Sequence, residues 1–175
     1  MSLTNTTLRV ASLSLLATAW ACGPMASGNA GTTTSSSGGG SGANGFIAAD
    51  LDGTNKRATE LAGGRAAQQG HLQITAATAT LNPEVTYILT LPNSVGTHTC
   101  GAPQSVTSLT INRPQGSTPV YFDSEGPNGA CTITVTQAAA NVGDTIIGTF
   151  SGVASQESAG EIQVTNGTFE IKRTQ

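Results

Sequence analysis

The sequence predicts an all-β domain, a single antiparallel β-sandwich with a β-barrel as the alternative, placed after a disordered N-terminal tether. Short runs of alternating polar and apolar residues recur from Phe46 onward, bounded by turn residues at a spacing of about 8–12 residues. Thr, Ser, Val, Ile and Gly dominate the second half while aromatics make up 4%, a mix that favours strands and turns. No window of about eleven residues carries a helical stripe. Residues 58–69 come closest, and Gly63 with Gly64 interrupt them.

Residues 1–21 have the three-part form of a secretory signal. Arg9 is its only cation, and the apolar stretch 10–21 is shorter than the roughly 20 residues a spanning helix needs. Ala19 and Ala21 supply the small side chains that a signal peptidase accepts, and Cys22 follows at once. Small residues leading to a cysteine at the first mature position resemble a lipobox, although Ala19 stands where leucine is usual and Trp20 is bulky. Cys22 is therefore the expected lipidation site. Several acyl chains anchor stably, since each buried CH2 contributes about 0.8 kcal/mol and one chain alone is marginal. Gly23, in place of an aspartate, favours the outer membrane or cell surface over inner-membrane retention. Without acylation the product would be periplasmic or secreted.

Residues 22–44 form the lipidated cysteine and a Ser/Gly-rich linker with almost nothing to bury. A flexible coil of about 20 residues spans roughly 25 Å. Residues 45–175 form the domain.

Within it, Phe46 to Leu51 precede Asp52 and Gly53, a strong turn pair. A second run near 57–61 is expected to end at Gly63 and Gly64. Residues 71–76 alternate. In 85–91, Val85, Tyr87, Leu89 and Leu91 share one face before Pro92 and Asn93 stop the strand. Short strands are expected over 96–100, 108–112 and 119–122, then a clean alternation over 131–136 with Cys131, Ile133 and Val135 inward and the threonines outward. Residues 145–153 supply another strand.

Near the C-terminus, a two-residue turn at Asn166 and Gly167 would place Ile162, Val164, Phe169 and Ile171 on one face and set Glu161 opposite Lys172. An unbroken strand would split Val164 from Phe169. The favoured reading is the hairpin turn, and the alternative is a bulge that resets the phase. Asn166, Gly167 and Thr168 also spell a glycosylation sequon, a weaker account of the same residues.

With Cys22 assigned to lipid, Cys100 and Cys131 are left, and in an exported domain that pair favours a disulfide. The rival is a metal site using His98, two residues from Cys100; structural zinc wants four ligands, and the only other histidine is His71. No metal or other cofactor is expected.

Several of these segments resemble uncharacterised bacterial lipoproteins that carry a small C-terminal β-sandwich domain. The resemblance rests on the signal, Cys22, the Ser/Gly tether, the segments around Cys100 and Cys131, the strand Gly148-Thr149-Phe150-Ser151-Gly152, and Thr165-Asn166-Gly167-Thr168-Phe169. It covers most of residues 46–173 and implies a fold without implying a chemistry.

Charge is sparse, with a net −3 and no basic cluster, so a nucleic-acid partner is not expected. Asp50 and Asp52 present oxygen at alternate positions, but Gly53 and Glu60 fall at the wrong places for an EF-hand loop. Asp123 and Glu125 sit in a turn-rich stretch where carboxylates are usually solvated. No G-x-S-x-G, H-E-x-x-H or phosphate-binding glycine motif is present.

The expected function is a non-enzymatic binding or structural module of the envelope, held to the membrane by its lipid. It would contact a protein or glycan through loops 93–96 and 123–128 at one end. The alternatives are a calcium-assisted adhesion or carbohydrate-binding module using Asp50 and Asp52, and a cell-envelope hydrolase.

Overall fold

The computed structural model describes residues 44–100 and 106–175. The signal, Cys22 and the linker up to residue 43 lie outside the described residues. The strands are β1 (Gly45–Leu51), β2 (Thr54–Ala58), β3 (Glu60–Ala66), β4 (His71–Ala77), β5 (Thr86–Pro92), β6 (Gly96–Thr99), β7 (Ser108–Asn112), β8 (Tyr121–Asp123), β9 (Ala130–Gln137), β10 (Thr145–Gln156) and β11 (Gly160–Lys172). One 3-10 turn, Gln68–Gly70, joins β3 to β4, and the described residues contain no α-helix.

All strand pairs are antiparallel, as the alternation predicts, and they belong to one sheet curled nearly into a barrel. The sheet forks at β10. One layer runs β6-β9-β10-β11-β1-β2, the other β8-β7-β5-β4-β3, and Ser155 opposite Asp123 joins them. On the far side the chain end closes the curl: Gly64 bridges Arg173, and Thr174 N donates to Gly64 O at 2.7 Å. The two halves face each other across the core as sandwich layers do, while hydrogen bonding passes from one to the other.

Alternation explains which residues meet there. Val85, Tyr87, Leu89 and Leu91 are fully buried, as are Ile133 and Ile171. Tyr87 of β5 meets Phe150 of β10 edge to face at 6.2 Å, and Phe150 lies 6.4 Å from Phe169 of β11. Such pairs add about 0.5–1.5 kcal/mol beyond burial of their area. The Tyr87 hydroxyl donates to Lys56 O at 3.0 Å, and burial pushes its pKa up.

Two sequence expectations are corrected here. Asn166 and Gly167 do not form a hairpin turn, because β11 runs through them to Lys172. They form the bulge instead. Asn166 and Gly167 together oppose Ala49 of β1, and Thr165 with Asn166 opposes Ser151 of β10. Asn166 takes a left-handed φ of 53°, which asparagine tolerates. The bulge still resets the phase, so Ile162, Val164, Phe169 and Ile171 all point inward. Lys172 consequently lies opposite Thr145, and Glu161 opposite Ser155, so the Glu161–Lys172 pair is not made.

Gly63 and Gly64 likewise sit inside β3 and do not end a run. Their missing side chains admit the chain end: a methyl on Gly64 would lie 3.5 Å from Arg173 Cα, and one on Gly63 3.2 Å from Thr174 Oγ1. The earlier break falls at Thr59, between β2 and β3.

The β10–β11 pair is held by a reciprocal fit. Gly148 lies opposite Phe169, and Gly167 opposite Phe150. A methyl on Gly148 would strike Phe169 Cζ and the Thr134 carbonyl. One on Gly167 would come within 2.7 Å of Phe150 Cγ. Each strand leaves a gap that the other's ring fills.

Cys100 and Cys131 are at disulfide distance, with Cα atoms 4.8 Å apart against a usual range of about 4.4–6.8 Å. Cys100 N also donates to Cys131 O at 2.8 Å, and both side chains are buried.

Gly148→Ala is expected to destabilise the domain by about 1–3 kcal/mol through overpacking, read as a lower urea midpoint at an unchanged slope. For a sequence separation of 31 residues, reduction of the cysteine pair is expected to cost up to about 3.5 kcal/mol. Melting with and without reductant, compared with a Cys100→Ala/Cys131→Ala double variant, measures it.

Candidate functional site

Outward positions on β6, β9, β10 and β11 are set by the same alternation that buries their neighbours. Pairing then aligns them. Thr97 lies opposite Thr134, Thr134 opposite Thr149, and Thr149 opposite Thr168, giving one rung of four threonines across four strands. Thr99 lies opposite Thr132 and Thr132 opposite Ser151, which in turn faces the bulge residues Thr165 and Asn166. Every position in this second rung up to Thr165 also carries a hydroxyl. Thr134 is half-buried and the others are exposed.

Neighbouring strands stand about 4.7–4.9 Å apart, so the rungs form a regular polar field. Within the first rung, the Thr97 and Thr134 hydroxyls are 3.1 Å apart and hydrogen-bonded. Over β9 to β11 the field sinks into an open trough of about 610 Å³, with Phe150 and Gly167 in its lining. No Lys, Arg, Asp or Glu lines that trough.

The trough ends at a small cluster on β1 and β2. Asp50 lies opposite Thr165, and Asn55 opposite Asp50. Asn166 Nδ2 donates to Asp50 Oδ2 and Asn55 Nδ2 to Asp50 Oδ1, each at 2.8 Å. These two amides, Asn166 foremost, hold the Asp50 carboxyl below the usual aspartate range. The first rung continues instead through Ala48 to Arg57, whose guanidinium lies 3.6 Å from the centroid of the Phe46 ring.

Comparison of the chain with protein-family models, curated proteins and solved structures returns no match. The site therefore rests on its own geometry.

Other residues singled out from the sequence fall elsewhere. Asp52 is in the turn after β1, where its Oδ1 accepts from Gln163 N at 2.9 Å and its Oδ2 pairs with Arg113 Nη1 at 3.5 Å. With Asp50 likewise bonded, N–H donors occupy the oxygens that a calcium ion would need. Among the described residues, no three His, Cys, Asp or Glu side chains gather as a metal-holding group. His98 Nε2 sits 3.2 Å from Ser94 O, and His71 Nδ1 3.2 Å from Gln69 O. Asp123 accepts a 2.6 Å bond from the Thr110 hydroxyl, and Glu125 is exposed.

The two candidate loops do not converge. Loop 93–96 adjoins the C-terminal end of β9, where Asn93 brackets Ala139 by donating to its carbonyl at 2.8 Å and accepting from its N–H at 3.0 Å. Loop 123–128 leads into the opposite end of β9 and is pinned there, with Gly126 N on Asp123 O and Asn128 Nδ2 on Glu161. The expectation of one shared loop surface is therefore corrected. β9 spans eight residues, which separates the two loops by roughly 20 Å or more.

Sequence reasoning missed the hydroxyl rungs. Their trace was present: Thr97-His98-Thr99, Thr132-Ile133-Thr134 and Thr149-Phe150-Ser151 repeat one pattern on three runs.

A folded-state pKa below the unfolded one stabilises above the unfolded value, and that contribution is lost as pH falls through the folded value. Asn166→Ala is expected to raise the Asp50 midpoint toward that of an ordinary aspartate. Carboxyl-carbon NMR titration checks this, and an unmoved midpoint would show that the amide does not hold the charge.

Proposed function

We propose that this chain is an exported, lipid-anchored protein whose β-domain is a non-enzymatic binding module of the bacterial cell envelope. Its binding surface is the outer face of β6, β9, β10 and β11. The observation that carries the reading is the pair of in-register hydroxyl rungs over an uncharged trough of about 610 Å³. A repeated, outward, hydrogen-bonding field has no part in packing the core. The signal-like residues 1–21, Cys22 and the Ser/Gly linker support export and anchoring, as does the resemblance to bacterial lipoproteins.

Calcium-assisted adhesion through Asp50 and Asp52 has less support, because Asn55, Asn166, Gln163 and Arg113 already occupy their carboxylates. An envelope hydrolase has less again, since both histidines lie beside nearby backbone carbonyls.

Two measurements test the reading. Mass spectrometry of the mature N-terminus is expected to find acylated Cys22, with Cys22→Ala released from membranes; a plain cysteine would remove the anchor. Thr149→Arg, which places a charge in mid-trough, is expected to reduce capture of the protein by its own envelope fractions at least tenfold. Equal capture of both forms would reject the face.

A further inference from the structure

We infer that the trough takes a neutral polysaccharide chain lying along the rungs, across the strands, an assignment that rests on the binding face proposed above. Three features of the face select that chemistry.

The first is charge. Polyanions need cations to neutralise them, and the trough lining contains none, while Asp50 stands ionised at its margin. An acidic glycan or nucleic acid would find no cation in the trough itself, and Arg57, two strands beyond it on the first rung, has its guanidinium on the Phe46 ring.

The second is the mixture of groups. Each threonine or serine hydroxyl donates once and accepts twice, so it can answer a sugar hydroxyl of either orientation. Between the hydroxyls lie the methyl groups of the same threonines, while the Phe150 ring points into the core. A neutral sugar ring presents that same alternation, with hydroxyls at its rim and C–H groups on its faces. A protein partner would call for a larger apolar centre, since the core of such an interface is where charge is depleted and aromatics gather.

The third is repetition. Four strands at sheet spacing give a rung of about 14 Å, longer than one sugar ring. Each hydroxyl exchanges a water bond for a ligand bond and gains little by itself. A monosaccharide would collect few such gains, whereas a polymer in contact with several strands sums them. Asn166, Asp50 and Asn55, bonded to one another, close the β1 end of the second rung.

The experiment is affinity electrophoresis of the purified domain through gels containing a soluble glucan, a mannan or a galactan, with alginate as the acidic counter-probe. Retardation by at least one neutral polymer and none by alginate is expected. Thr134→Val/Thr149→Val keeps β-branched side chains of the same shape and is expected to weaken that retardation tenfold or more. Its melting temperature should stay within a few degrees of the parent, which separates lost hydroxyls from lost folding.

Mobility unchanged in every neutral polymer, retardation by alginate as strong as by the glucan, or full retention of binding by the valine variant would each overturn the proposal. If the neutral polymers fail while capture by envelope fractions still depends on Thr149, the ligand class is wrong and the face stands. Capture of envelope protein in that case makes the partner a polypeptide. If neither assay responds to the substitutions, the face itself is wrong.

Discussion

Glycine inside a strand ordinarily weakens it, because it adds backbone freedom and packs nothing. In this domain two such glycines are what allow the central pair of strands to close. Gly148 receives Phe169 and Gly167 receives Phe150, so each ring lies over backbone that carries no side chain of its own. These rings are two of the four phenylalanines in the chain, and burying each contributes about 1.5–3 kcal/mol. A slip of one residue between β10 and β11 would turn an aromatic ring to water and drive a side chain into backbone. β1 hangs on one side of this pair and β9 on the other, so the register of the whole hydroxyl-bearing layer is referred to it.

The bulge belongs to the same device. Val164 and Phe169 are five residues apart, and alternation alone would send them to opposite faces. Placing one extra residue at Asn166 lets both point inward, with the pairing to β1 and β10 interrupted at the bulge and resumed on either side of it. Local arithmetic leaves a turn and a bulge equally able to align Val164 with Phe169. What separates them is that partner strands pass on both sides of β11, a fact about residues far away in the chain. The strand interiors were legible for the opposite reason. In 85–91 and 131–136 the burial of every second residue follows from each segment's own alternation. Gly63 and Gly64 read as punctuation because glycine often is, but what they admit is the Thr174 side chain and the Arg173 backbone, beyond the reach of any window.

The candidate site divides along the same line. That Thr132 and Thr134 face outward is visible in one strand. That they meet Thr97, Thr99, Thr149 and Ser151 is a matter of register, and register arises between strands. Loops 93–96 and 123–128 drew attention for their polarity, a property nearly all surface loops share. Asp50 and Asp52 suggested oxygen ligands because two carboxylates stood at alternate positions. The side chain that engages Asp50 from 116 residues away, Asn166, was the missing half of that picture.

The cysteine pair joins the end of β6 to the start of β9, and the chain between them leaves that layer to build β7 and β8 before returning. With the pair bonded, a peptide bond cut in loop 113–119 or 124–129 would not divide the molecule. Both fragments would stay tied through sulfur and through their strand neighbours. Scission at these tips becomes a scar in the chain with no loss of parts.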